Sequence, residues 1–321
     1  MAEILLCGAG QLGSRYLQGL SLTCDPHNIT VFDPSSGALD LARDRYNEVC
    51  DSGQKHNLKF TSDIAAISRY LDLAIVATTS FPRAKIVAEI AITCHVRFWI
   101  LEKVLAPSIS ELDAILVSTG SSQGAWVNHW MRTTPWALGL KSMLSNVDVR
   151  NASMSVEGGG WGLACNATHF LDLLCMVTGE SVTSVLVDKL DRDWTASKRS
   201  GYFEILGTME AIFGSKARLI LNCDSSNEPL TLSVSVADNQ YEVKFDGDDS
   251  IEVKVNDKLE RFDFPYQSTM TAEIVDAILL TAQCDLPTCL ATVTTHRPFI
   301  RALIGHWNSN HSDSVKRLPI T

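Results

Sequence analysis

The chain has no apolar run of roughly 18 residues or more, so no membrane-spanning helix is expected. It has nine cysteines but no C-x-x-C pair; their number is odd and their spacing irregular from Cys7 to Cys289. That argues against a disulfide framework or a structural zinc site, and reduced thiols in a cytoplasmic protein are expected. Positive charge is in deficit: 27 Lys and Arg stand against 37 Asp and Glu, a net charge of −10. Such a chain lacks the electrostatic footprint of a nucleic-acid binder and is repelled by an anionic membrane. The opening MAEILLCGAG lacks a basic stretch before its apolar residues, so no secretory signal is expected. The N-x-S/T sequons at Asn28, Asn151, Asn166 and Asn310 are then read as chance. There is no internal repeat and no low-complexity tract.

What remains is ordinary globular material. The chain has 321 residues, 45% hydrophobic and 20% charged, enough for a sizeable core and, at this length, for two domains. In the first third, short apolar stretches alternate with helix-like spacing. Ile4 to Cys7, Ile29 to Phe32, Leu73 to Ala77 and Phe98 to Leu101 read as strands. Leu12 to Leu20, Ala38 to Val49, Arg83 to Ile92 and Ser110 to Val117 read as helices. Strands apolar on both faces predict a parallel sheet covered by helices, a doubly wound α/β domain. The Ser/Gly-rich stretch Ser118–Gly124 marks a boundary, giving domains 1–121 and 122–321.

The second part reads differently. A helix is expected over Thr168 to Met176. Leu230, Leu232, Val234 and Val236 alternate with polar residues, and Val243, Phe245, Ile251, Val253 and Val255 repeat the pattern. That predicts an open, largely antiparallel sheet in an α+β domain. The acidic stretch Asp246–Asp249 reads as a hairpin turn, since calcium-loop spacing is absent. Two helices are expected near Ala272–Thr281 and Pro298–Trp307.

The strongest chemical signal is Gly8-Ala9-Gly10-Gln11-Leu12-Gly13, after one strand and opening a helix. Gly8 suits a tight turn, Gly10 lets a pyrophosphate approach the backbone, and Gly13 lets helix and strand pack closely. Asp33 ends the next strand 20 residues after Gly13, the spacing of a ribose-binding acid. A carboxylate there, followed by Pro34-Ser35-Ser36 with no arginine, favours NAD over NADP; the alternative is an Asp that only starts the Asp33-Pro34 turn. Thr78, Thr79 and Ser80 end a later strand and suit contact with a dinucleotide. Glu102 and Lys103 end another. Lys103 is either a solvated cation or a group near a nicotinamide that handles an alcohol proton.

A third cluster runs from Gly158-Gly159-Gly160-Trp161-Gly162 to Asn166, His169 and Asp172. On a helix, Cys165, His169 and Asp172 share a face. A histidine side chain can take or give a proton near neutral pH, so His169 reads either as a proton acceptor or as a structural histidine. Just past the boundary, Asn128 and Arg132 lie in Asn128-His129-Trp130-Met131-Arg132. Arg132 reads either as a substrate contact or as an interdomain ion pair, and His129 reads as packing. No metal site is expected among the histidines.

These residues together resemble the glucose–fructose oxidoreductase / inositol dehydrogenase / MocA-like family. The resemblance rests on the glycine motif, Glu102-Lys103, the Gly-rich segment leading to His169-Phe170-Leu171-Asp172-Leu173, and Thr295-His296-Arg297-Pro298. It spans nearly the whole chain. It implies a Rossmann domain followed by an α/β domain whose open sheet is often used to form homo-oligomers. It also implies NAD-dependent redox chemistry on a sugar, sugar nucleotide or cyclitol, with Lys103 and His169 catalytic. Gly8 to Gly13, Asp33, Thr78 to Ser80 and Glu102 would hold the cofactor; Asn128, Arg132, Asn166 and Asp172 would hold the substrate. Two departures stand out: Val104 replaces the usual proline after Glu-Lys, and Cys165 replaces the usual Asp four residues before the histidine. The departures leave two other classes open. One is an epimerase or lyase that uses NAD transiently; the other is a non-catalytic NAD-binding sensor.

Overall fold

Ile4, Leu5, Leu6 and Cys7 are all buried, so their strand is covered on both faces. They form β1 (Glu3–Cys7) at the centre of a parallel sheet. The computed structural model describes residues 1–50, 55–214, 216–246, 250–256 and 258–321. The turn expected at Asp246–Asp249 therefore lies outside the described residues, apart from Asp246 at the end of its strand. The described chain divides into two compact units.

The first unit comprises Met1–Ala106, Glu111–Asn128 and Pro265–Cys289. After β1 come α1 (Gln11–Leu20), β2 (Asn28–Phe32), α2 (Ser36–Val49), β3 (Asn57–Thr61), β4 (Tyr70–Val76), α3 (Ser80–Thr93), β5 (His95–Leu101), α4 (Ile109–Thr119) and β6 (Gly124–Val127). The strand order is β3-β2-β1-β4-β5-β6, every neighbouring pair parallel. This is the doubly wound Rossmann arrangement, with its switch point between β1 and β4. Backbone bonds continue past the strands: Gly8 N–H to Phe32 (2.8 Å), Ala77 to Cys7 (2.8 Å), Glu102 to Val76 (3.2 Å) and Asn128 to Leu101 (2.8 Å). They bring Gly8, Ala77, Glu102 and Asn128 level along one carboxyl edge, where ligands of such sheets bind.

The second unit comprises Pro107–Ser110, His129–Phe264 and Leu290–Thr321. A 3₁₀ turn at Trp130–Thr133 leads to α5 (Pro135–Leu144), β7 (Ser153–Gly159), α6 (Leu163–Thr178), β8 (Val182–Leu190), β9 (Thr195–Ala196), β10 (Phe203–Glu204), β11 (Gly207–Phe213), β12 (Ala217–Asp224), β13 (Leu230–Val236), β14 (Asn239–Asp246), β15 (Ser250–Val255) and β16 (Lys258–Asp263). Eight strands form an open sheet in the order β16-β15-β14-β13-β7-β12-β11-β8. Only β7 and β12 pair in parallel, so the sheet is largely antiparallel, as the alternation predicts. Helix α6 begins after Gly162, whose φ of +77° suits glycine, and ends at Gly179 with φ +70°.

Two helices close the chain: α7 (Gln267–Thr281) and α8 (Cys289–Asn310), the latter with Pro298 inside it. Three segments, 107–110, 122–128 and 265–289, fall on the other side of a single cut after residue 121. β6 completes the parallel sheet, and α7 returns to the first unit, where Ile274, Val275 and Ile278 share a core with Tyr16, Leu17 and Leu20. Gly19 permits that approach, since a Cβ there would lie 2.6 Å from Thr271 Cβ. Helix periodicity marks α7 in the sequence but says nothing about which core it joins. Among the described residues, no helix is long and apolar enough to cross a membrane.

Candidate functional site

The glycine loop links β1 to α1. Gly8 has φ +96°, and a side chain at Gly13 would collide with the Gly8 carbonyl, its Cβ only 1.8 Å from that oxygen. Both positions require glycine. A Cβ at Gly10 would meet nothing within 4 Å, so the backbone there borders open space. Asp33 Oδ2 accepts the Ala9 N–H at 2.8 Å while Oδ1 accepts the Ser35 N–H at 2.8 Å. The same carboxylate thus starts its own turn and holds the loop. Each oxygen still has a lone pair for a hydroxyl donor. The Thr78 hydroxyl is buried without a partner, and Thr78 Cγ2 would lie 3.2 Å from a Cβ at Gly8. An open backbone at Gly10, a loop-bound acid and an orphaned hydroxyl beside Gly8 fit a dinucleotide. Gln11 is exposed at the helix start, where Arg45 of α2 donates to its amide oxygen at 2.7 Å. Leu12 packs against the core, and Thr79 precedes α3 half-buried. Ser80 is the first residue of α3 and is fully buried.

Glu102 and Asn128 are also turned inward. The Glu102 carboxylate is buried and accepts the Tyr16 hydroxyl at 2.5 Å and the Asn128 amide at 2.7 Å. The Asn128 amide also donates to Gln267 at 2.7 Å. Burial pushes the Glu102 carboxyl up, against the hydrogen bonds of Tyr16 and Asn128 and the charges of Arg83 and Lys103. The Tyr16 hydroxyl is driven well above its usual range by burial and by that neighbouring carboxylate. This network joins α1, β5, β6 and α7 within one unit. Its partners lie up to 139 residues apart in sequence, so local spacing does not reveal them. Glu102, expected at the cofactor, and Asn128, expected at the substrate, are thus engaged here with each other, Tyr16 and Gln267.

Arg83, not singled out by the sequence, is fully buried. Its guanidinium donates to the carbonyls of Glu102 (2.6 Å) and Leu105 (3.1 Å), and also to those of Val104 and Thr78. It thereby ties the end of β4 to the segment carrying Lys103. Lys103 is half-buried, and its peptide bond to Val104 is cis. The visible signal was an arginine inside an apolar helical stretch directly after Thr78-Thr79-Ser80.

In the second unit, α6 buries His169 and Asp172. Arg132 Nη1 meets Asp172 Oδ1 at 2.9 Å, with side chains 18% and 8% exposed. Arg132 is therefore an ion-pair residue whose partner lies inside its own unit. Burial raises the Asp172 carboxyl to about 6 although Arg132 pulls it down. The His169 ring lies 5.6 Å from Trp130 and edge-on to His129 at 5.4 Å; His129 is edge-on to His296 at 5.3 Å. Among the described residues, no cluster of metal-ligating side chains is present. The Cys165 thiol donates to the Thr321 carbonyl. Glu204 of β10 accepts the N–H groups of Ala164 (2.9 Å) and Cys165 (3.3 Å), placing a carboxylate at the start of α6 where the helix dipole favours one.

A cavity of about 280 Å³ opens beside α6. Asn166 and His169 are its polar lining, and the Asn166 amide donates to the Trp161 carbonyl at 2.7 Å. The rest is apolar: Trp130, Trp161, Phe170, Phe245 and Phe264, with Met131 and Leu230. Of the four expected substrate residues, Asn166 alone lines this cavity. The aromatic residues come from four separate segments, which periodicity cannot assemble.

No family model matches the chain, and neither does any curated protein. Solved structures do. One is an oxidoreductase from Agrobacterium radiobacter in complex with NAD+, L-tartaric acid and magnesium, at TM-score 0.67 and 13% identity over 97% of each chain. Another is a UDP-N-acetylglucosamine 3-dehydrogenase from Acidithiobacillus ferrooxidans, at TM-score 0.69 and 12% identity over 97% of this chain and 99% of that one. A levoglucosan dehydrogenase in complex with NADH and L-sorbose matches at TM-score 0.67 and 14% identity, over 98% and 99%. At such identities the likeness establishes a shared two-part fold.

Proposed function

We propose that the chain is an NAD-dependent oxidoreductase acting on a secondary alcohol of a small sugar-type molecule. The observation that carries this is the β1–α1 loop. Its glycines leave the backbone open at Gly10, and the Asp33 carboxylate holds Ala9 from the end of β2. The first N–H groups of α1 would receive the pyrophosphate. Asp33 would accept the ribose hydroxyls and repel a 2′-phosphate, favouring NAD over NADP. Bound nicotinamide supplies the hydride acceptor. His169 takes the hydroxyl proton as the carbinol C–H is lost, and returns it in the reverse direction. Lys103 stands at the carboxyl edge of the parallel sheet, in the segment held by Arg83, where it would lie near the nicotinamide of a bound dinucleotide. Similar solved structures that contain NAD+ or NADH support the cofactor assignment. The test is calorimetric titration with NAD+ and NADP+, followed by NADH formation on a panel of cyclic alcohols and sugars. Tighter binding of NADP+, or no binding of either, overturns the proposal.

A further inference from the structure

The cavity beside α6 has a chemistry of its own. Trp130, Trp161, Phe245 and Phe264 are only half-buried, so four large aromatic side chains are left incompletely covered around one hollow. Uncovered aromatic surface gathered in a concavity marks a ligand site. The Trp161 indole N–H is already committed to the Asn222 carbonyl at 2.9 Å, so this residue offers the cavity carbon only. Among the described residues, no Lys, Arg, Asp or Glu side chain lines the space. Arg132 and Asp172 are paired with each other, and the Glu204 carboxylate is engaged by the Ala164 and Cys165 N–H groups. The volume, about 280 Å³, suits one six-membered ring better than a sugar nucleotide.

From this we infer that the substrate is a small, uncharged cyclic alcohol with few hydroxyls, its deoxygenated face against the aromatic wall and its reacting carbinol toward His169 and Asn166. The inference rests on the proposed role of His169 and, among secondary alcohols, moves the substrate from a fully hydroxylated sugar to a deoxygenated ring. A ring hydroxylated on every carbon would bring more hydroxyls around its edge than Asn166 and His169 can pair, and each hydroxyl left unpaired on burial is unfavourable. A phosphate or carboxylate placed against the aromatic wall would lose its hydration, and among the described residues no cation lines that wall.

The experiment compares cyclohexanol, myo-inositol and UDP-glucose as ligands of the full chain with NAD+ present, by ligand-observed NMR, with NADH formation followed in parallel. Cyclohexanol is expected to bind about tenfold more tightly than myo-inositol. Trp161→Ala should erase that preference, whereas Trp161→Phe, which keeps a ring, should retain it. Leu230→Lys brings a charge to the cavity lining and should weaken cyclohexanol by about tenfold, which keeps the test decisive if Trp161→Ala does not fold. Equal or tighter binding of myo-inositol or UDP-glucose overturns the inference, as does the absence of cyclohexanol binding. Myo-inositol bound as tightly and oxidised with NADH release would leave the oxidoreductase assignment standing and remove this one. Selective cyclohexanol binding without NADH from any alcohol would remove the oxidoreductase assignment, and with it the reading of this cavity as a substrate site.

Discussion

Arg83 Nη1 donates to the backbone carbonyl of Glu102 at 2.6 Å, one residue before Lys103. The arginine is fully buried and serves four carbonyls at the ends of β4 and β5. Arg83→Met would leave those acceptors buried without a donor. A loss of about 3 kcal/mol or more is expected in chemical denaturation. Arg83→Lys, with fewer donors in a different geometry, should recover only part of it. A loss below about 1 kcal/mol for Arg83→Met would show that the carbonyls find other donors.

Asp33 has two jobs that substitution can separate. Asp33→Asn keeps an acceptor for the Ala9 N–H but removes the charge that disfavours a 2′-phosphate. Its thermal stability should stay near that of the parent, while the preference for NAD+ over NADP+ narrows. Asp33→Ala removes both and should also cost about 1 kcal/mol of stability. Calorimetric titration with each dinucleotide gives the ratio, and an unchanged ratio in both variants would assign Asp33 to the loop alone.

Asp172 makes stability depend on pH. Its carboxyl is raised by burial to about 6 from an ordinary 3.8. Between those values the native state holds a proton that the unfolded chain has released. The resulting stabilisation is complete below about pH 4 and is lost as pH rises to about 6. Arg132→Met removes the partner of the ionised form and raises the carboxyl further. Its stability deficit should therefore be larger at about pH 8 than at about pH 5, reaching roughly 3 kcal/mol at the higher pH. Denaturation curves at both values decide it; equal deficits would mean that the ionised form of Asp172 does not rely on Arg132.

His169→Ala should lower kcat by about 10²-fold or more, the range for loss of a general acid–base group. Affinity for NAD+ should hold, because the proposed cofactor contacts lie in the first unit. Cys165→Asp tests the departure at α6. The new carboxylate would face the Thr321 carbonyl and share the helix start with Glu204. A lower melting temperature is expected, with no gain in NADH formation. A gain would mean that an acid one turn before His169 assists catalysis even here.

The glycine loop was legible because its constraints are local: a positive φ at Gly8 and a collision at Gly13 leave their mark within six residues. Strands apolar on both faces disclosed the parallel sheet for a similar reason. Arg83 was not legible, since a charge on a helix normally faces water and only the fold brings four carbonyls around it. Asn128 beside His129 and Trp130 suggested a binding surface, yet its acceptors come from α1, β5 and α7. β7 and β12 alternate buried and more exposed residues along their whole length, but their parallel pairing, such as Arg218 with Ser153, joins distant parts of the chain that no local pattern links.

The return of α7 to the first unit separates the order of synthesis from the order of folding. A nascent chain that has emerged as far as Asn128 already carries every strand of the parallel sheet but leaves the face of α1 around Leu17 and Leu20 without its cover. That cover arrives only with Ile274, Val275 and Ile278, after the eight-stranded sheet has been made. A recombinant fragment ending at residue 128 would therefore expose apolar surface and aggregate. Grafting 265–289 onto that fragment through a flexible linker should restore a soluble, cooperatively melting half.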